Sequence, residues 1–129
     1  MNKIERSISN KVCDAVNRMG EGGYKVDWLG GHTSVARGFS LSRRPRVSVK
    51  LYDTYILQAT GAPHDYELDI DLSYLSHTTL SRVNAALDGL GLGVIARQMK
   101  GKPAVFVDGK LASTDYCTTL RVKGGEVLA

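Results

Sequence analysis

The chain is poor in several residue types: 2 cysteines, 3 prolines, 1 tryptophan and 7% aromatic residues among 129 positions. Cys13 and Cys117 stand near opposite ends, with no CxxC pair and no histidines at zinc-ligand spacing. That pattern excludes a disulfide-stapled miniprotein or a zinc ribbon and points to free thiols. Low proline and the absence of any biased or repetitive stretch argue against disorder. No apolar run approaches the roughly 20 residues that cross a bilayer, so no membrane partner is expected. The leading residues Met1-Asn2-Lys3-Ile4-Glu5-Arg6 lack the apolar centre of a secretory signal, and a cytoplasmic setting is the expectation.

Charge of one sign is missing from long segments. Between Trp28 and Tyr52 there is no Asp or Glu, while Arg37, Arg43, Arg44, Arg46 and Lys50 all fall there; between Leu51 and Ser81 there is no Lys or Arg, while Asp53, Asp65, Glu67, Asp69 and Asp71 do. The net charge of +4 permits an anionic partner without demanding one.

What is present is clear periodicity. Ile4, Ile8, Val12, Ala15, Val16 and Met19 recur at helical spacing, which predicts a first helix over about residues 2–19, stopped by Gly20, Gly22 and Gly23. The period then drops to 2. Residues 24–28 and 33–41 read as strands around Gly30-Gly31. In the next strand Val47, Val49 and Leu51 alternate with Arg46, Ser48 and Lys50, and it is expected to run on through an irregularity at Asp53-Thr54 to Ala59. After a turn at 61–65, Leu68, Ile70 and Leu72 alternate with Glu67, Asp69 and Asp71. Basic and acidic rows on one polar face would then pair across strands.

A second helix is predicted over about residues 79–89, capped by Thr78 or Thr79, with Leu80, Val83, Leu87 and Leu90 on one face and Gly89 and Gly91 at its end. Strands at 94–99 and 103–107, a turn at Asp108-Gly109 and a last strand near 117–122 follow, so hairpin strands occupy about 93–122, with a tail over 124–129 expected to fray. Without βαβ alternation or internal repeats, the expected architecture is a single α+β domain. Its antiparallel sheet has about five to seven strands, begins over about 24–72, and carries two amphipathic helices.

Chemistry-bearing constellations are few. His32, His64, His77 and the Asp65, Asp69 and Asp71 stretch form no ligand motif such as HExxH, and no metal or cofactor is expected. No GxSxG elbow is present. The sequence around each cysteine reads as packing, and the glycine clusters match neither GxGxxG nor a phosphate-binding loop. The strongest signal is basic: Arg43-Arg44-Pro45-Arg46 within the segment from Arg37 to Lys50, with Phe39, Tyr52 and Tyr55 near enough in sequence to offer stacking planes.

Three stretches, His32-Thr33-Ser34-Val35, residues 47–56 (VSVKLYDTYI) and residues 78–87 (TTLSRVNAAL), together with the Gln98–Lys102 turn, resemble a group of small bacteriophage-encoded domains of uncharacterised function. In that group a strand ending in an aliphatic-aromatic turn and a hairpin precede a Thr-Thr-x-x-Arg-x-Asn helix. The group's glycine-aromatic element is replaced here by Asp71-Leu72-Ser73-Tyr74-Leu75. Thr79 serves as a cap and Leu80 and Val83 as core, which leaves Arg82 and Asn84 without a structural task. The resemblance implies a phage accessory protein in the host bacterial cytoplasm.

The leading expectation is therefore a non-enzymatic binder of a host or phage macromolecular complex, such as an inhibitor of a bacterial defence system. Its contacts would come from Arg37, Arg43, Arg44, Arg46, Lys50, Arg82 and Asn84. Direct nucleic-acid binding through 37–50 is the first alternative. A dispersed enzymatic or small-ligand site lined by the histidines is the second, and self-association of the charge-segregated strands stays open.

Overall fold

The computed structural model describes residues 1–128. Helix α1 spans Lys3–Asn17 and opens on a capping box: the Asn2 side chain accepts from the Glu5 amide at 2.8 Å, and the Glu5 carboxylate accepts from the Asn2 amide at 2.9 Å. These reciprocal bonds set its start one residue later than periodicity suggested.

Strands β1 (Lys25–Gly30), β2 (Thr33–Phe39), β3 (Pro45–Leu51), β4 (Thr54–Ala62) and β5 (Asp65–Asp71) form an antiparallel meander. The segment expected to run from Arg46 to Ala59 as one strand is two. The chain reverses at Tyr52-Asp53, with Tyr52 in the left-handed region at φ 55°, and an irregularity lies further on, where Ile56 is an extra residue in β4 opposite Val49 and Lys50. The reversal places β4 between the basic strand β3 and the acidic strand β5. Two interstrand spacings of about 4.8 Å hold the Arg46 and Glu67 rows about 10 Å apart, and the expected cross-strand ion pairs do not form among the described residues.

Helix α2 spans His77–Leu90. Its N-cap is Ser76, whose hydroxyl accepts from the Thr79 amide at 3.1 Å, rather than either threonine. Gly91, at φ 65°, closes it; Gly89, expected to end it, lies inside. There α1 and α2 cross so closely that a Cβ on Gly89 would strike the Ser9 carbonyl oxygen, and Ser9 donates to the Asp88 carboxylate at 2.7 Å beside the crossing.

Strands β6 (Val94–Met99), β7 (Lys102–Val107) and β8 (Lys110–Ser113) form a separate three-stranded sheet through two-residue turns at Lys100-Gly101 and Asp108-Gly109, all four residues at positive φ. The chain then crosses back. β9 (Cys117–Lys123) pairs with β5, and β10 (Glu126–Val127) lies outside it, where a frayed tail was expected; Ala129 falls outside the described residues. The protein is thus an α+β domain with a seven-stranded sheet ordered β1-β2-β3-β4-β5-β9-β10 and a second small sheet. No described helix is long and apolar enough to cross a membrane.

One face of the large sheet is the core. The row Val35, Val49, Leu57, Ile70 and the next row Val47, Ala59, Leu68 are buried against Ile8, Val12 and Val16 of α1 and Val83 and Leu87 of α2. Tyr66 shares this face, and burial pushes its phenol up to about 12. Thr118, on the same face of β9, shares a 2.8 Å hydroxyl hydrogen bond with Ser113, so the small sheet also covers the helix side.

Candidate binding face

The opposite face of the sheet is not covered by either helix or the small sheet, and strand register arranges its side chains in three cross-strand rows. One runs Trp28, Ser34, Lys50, Tyr55; the next runs Val26, Ala36, Ser48, Gln58, Asp69, Thr119; the third runs Gly38, Arg46, Thr60, Glu67, Arg121. Tyr24 stands beside Gly38, where an added Cβ would lie 2.8 Å from its ring. Small residues therefore make a floor at Ser34, Ala36, Gly38 and Ser48, and aromatic rings make the walls. Tyr24 is 74% exposed, Trp28 72% and Tyr55 48%, while Ser34 and Ser48 are largely covered by their neighbours on the floor. A trough of about 230 Å³ lies between Tyr24 and Tyr55 over Ala36, Gly38 and Ser48 and reaches Ser40 and Leu41 in the β2–β3 turn, while Trp28, Ser34 and Lys50 form the adjoining row beside it.

The cations on this face are oriented by local contacts. The Lys50 ammonium sits 5.4 Å from the centre of the Tyr55 ring, a cation–π arrangement set up by the extra residue in β4 that brings Tyr55 opposite Lys50. Arg46 donates from Nε to Thr60 Oγ1 at 2.9 Å, which fixes its stem along the sheet and leaves its terminal nitrogens without a partner among the described residues. Arg43, at φ 63°, and Arg44 are exposed in the turn closing the trough, held by backbone bonds between Ser40 and residues 43 and 44.

The remaining sequence-derived candidates lie elsewhere. Arg37 belongs to the helix-side face, next to Lys25 and Val47 in the ladder; it is half-buried and its Nε has no hydrogen-bond partner. Arg82 is a tie between α2 and β2. Its Nε donates to Thr33 Oγ1 at 3.3 Å, its Nη1 to Ser81 Oγ at 3.1 Å, and Ser81 donates to the Glu5 carboxylate at 2.9 Å. Hydrogen bonds from the Asn2 backbone and then from Ser81 hold the Glu5 carboxyl below its usual range. Asn84 both donates to the Ala96 carbonyl and accepts from the Ala96 amide, each at 2.8 Å, as a strand neighbour would. The reading of Arg82 and Asn84 as residues without structural work is corrected by these bonds, although both line a solvent-open hollow with His77 and Arg97.

No protein family matches the chain, and comparison with curated proteins and solved structures finds no significant similarity. The geometry therefore carries the functional reading.

Sequence reasoning missed Tyr24 and Trp28. Their signal is their parity: Tyr24, Val26 and Trp28 alternate with Lys25 and Asp27, and Asp27 turns to the helix side to meet Lys11 at 3.8 Å. That parity sends both rings to the opposite face. Of the aromatic residues expected to serve the basic segment, Tyr55 is on the face and Phe39 is at its rim. Tyr52 lies instead at the hairpin tips, stacked on His32 with ring centres 4.4 Å apart.

A second cleft, about 510 Å³, opens between Tyr52, Tyr74, Asp71 and the start of α2. His32, His64 and His77 do not line it, and no group of metal-ligating side chains comes together among the described residues.

Proposed function

We propose that the protein is a stoichiometric binder: a phage-type accessory protein in the host bacterial cytoplasm that docks on a macromolecular complex of host or phage through the open face of its large sheet. Inhibition of a bacterial defence complex is one form such docking takes. The observation that supports this reading is the exposure of Trp28, Tyr24 and Tyr55 beside Arg46 and Lys50 on a sheet face that the helices leave uncovered. A ring of Trp or Tyr left in water forgoes a large burial free energy that a partner recovers, and these residue types with Arg dominate the energetic centres of interfaces. Such a surface acts by occupancy, because aromatic planes and fixed cations supply contact area and charge without a chemical step.

The test is affinity capture from lysate of phage-infected bacteria with the native chain and with the double variant Trp28→Ala, Tyr55→Ala, followed by sizing of the recovered assembly. The expected result is a defined complex at fixed stoichiometry that the variant fails to capture. Equal recovery by both proteins, or a complex retained by the variant and lost on substituting residues of the helix side, overturns the assignment of the face.

A further inference from the structure

We infer that the trough takes single-stranded nucleic acid; this rests on the reading of the open face as the working surface and names what lies on it. Trp28 on β1 and Tyr55 on β4 end the same cross-strand row, so three interstrand spacings put them about 14 Å apart, with Ser34 and Lys50 between. Two ring surfaces at that separation, joined by a floor of small residues, suit unstacked bases that are not adjacent on one extended strand, with the intervening nucleotide over the floor.

The cations are placed for the backbone of the same strand. Lys50 lies in the row between Trp28 and Tyr55, Arg46 lines the trough beside Gly38, and Arg43 and Arg44 are exposed in the β2–β3 turn whose Ser40 and Leu41 line it. Guanidinium groups match phosphate oxygens bidentately. The acidic strand β5 bounds this surface: Asp69 shares its rows beyond β4, as does Glu67 with Arg121 of β9 opposite it, and these carboxylates disfavour a polyanion there, so its contacts fall on β1–β4.

The floor separates this occupant from a protein. Protein–protein interface cores are depleted in serine and alanine relative to the rest of the surface, whereas this floor is built from Ser34, Ala36 and Ser48, with the Gln58 amide donating to Ser48 at 3.4 Å. Those polar groups hydrogen-bond the edges of bases whose faces stack on the walls. A duplex cannot use the walls, because its bases already stack on each other.

The experiment is a fluorescence anisotropy titration of the full chain with labelled oligothymidylate and oligoadenylate of about twelve nucleotides, and with a duplex of the same length. Binding of both single strands is expected, with the duplex weaker. The salt slope should be about −1.4 if Arg46 and Lys50 alone meet phosphates, and up to about −2.8 if Arg43 and Arg44 join them. Trp28→Ala and Tyr55→Ala, both at exposed positions and checked by thermal unfolding, should each weaken binding by about 5- to 150-fold, and Lys50→Gln should reduce the slope by about 0.7.

Preference for duplex, indifference to salt, or unchanged affinity in both aromatic variants overturns the inference. If no oligonucleotide binds while capture of a complex from lysate still depends on Trp28 and Tyr55, the nucleic-acid assignment falls and the binding face stands. If neither binding nor capture occurs, both fall.

Discussion

Replacing Asn84 by Ala removes two hydrogen bonds at once and strands both backbone groups of Ala96, a residue only 2% exposed. A buried amide or carbonyl left without a partner costs about 1–3 kcal/mol. The two together, discounted because Asn84 is only partly buried and water reaches part of the gap, amount to about 2–4 kcal/mol. For a domain of this length each kcal/mol moves the unfolding midpoint by about 3–6 °C, so Asn84→Ala should lower Tm by about 6–24 °C in a calorimetric or circular-dichroism melt. Asn84→Asp sharpens the reasoning. Its carboxylate keeps the acceptor for the Ala96 amide but sets negative charge against the Ala96 carbonyl, and acidification below a carboxyl pKa of about 4 restores a donor. Its deficit relative to the native chain should therefore shrink at low pH, while that of Asn84→Ala should not. A Tm drop below about 2 °C for Asn84→Ala would refute the view that this side chain closes the β6 edge.

Further outcomes test other parts of the fold. Gly89→Ala gains helix propensity of about 1 kcal/mol but forces α1 and α2 apart at Ser9 at an overpacking cost of about 1–3 kcal/mol, so the balance in chemical denaturation should be a loss of up to about 2 kcal/mol. Because the Glu5 pKa is lowered in the folded state, its contribution is present above the unfolded value near 4.5 and is lost as pH falls through the folded value. The stability gap between native chain and Glu5→Gln in denaturant titrations should accordingly close on acidification. Tyr66 behaves oppositely: with its folded pKa raised from 10.0 to about 12, the unfolded chain loses the phenolic proton first and stability falls between those values. Tyr66→Phe should remove that alkaline loss, measured as Tm against pH.

The helices and the meander were legible because their signals are local and periodic: Ile8, Val12 and Val16 for α1, and Val47 and Val49 against Ser48 and Lys50 for β3. The hairpin turn at Tyr52-Asp53 was not. A non-glycine residue at positive φ carries no glycine signal, and apolar residues continue on both sides of it. Strand β8 is short and mostly exposed, so alternation had nothing to report, and the separate small sheet depends on the long-range pairing of β9 with β5. At the candidate site the cluster Arg43, Arg44, Arg46 was visible as composition, but which face each cation serves is a matter of register. Arg37, an odd number of positions from Arg46 and on a different strand, turns to the helix side. Arg82 and Asn84 looked idle because their partners, Thr33 and Ala96, are 49 and 12 positions away.

The two faces of the sheet also divide the protein's tolerance for change. On the helix side, the Gly89 crossing, the Arg82 tie and the Asn84 clasp couple distant segments, so a substitution there costs stability that only matching changes elsewhere offset. Across the sheet, Trp28, Tyr24 and Tyr55 project into water, so exchanging them should leave the scaffold standing and, under the binding proposed for this face, change what is recognised. Descendants of such a chain can diverge in specificity on one side while the Thr79, Arg82 and Asn84 pattern persists on the other. Shared sequence around α2 would then trace ancestry of shape, and the partner would have to be read from the residues that vary.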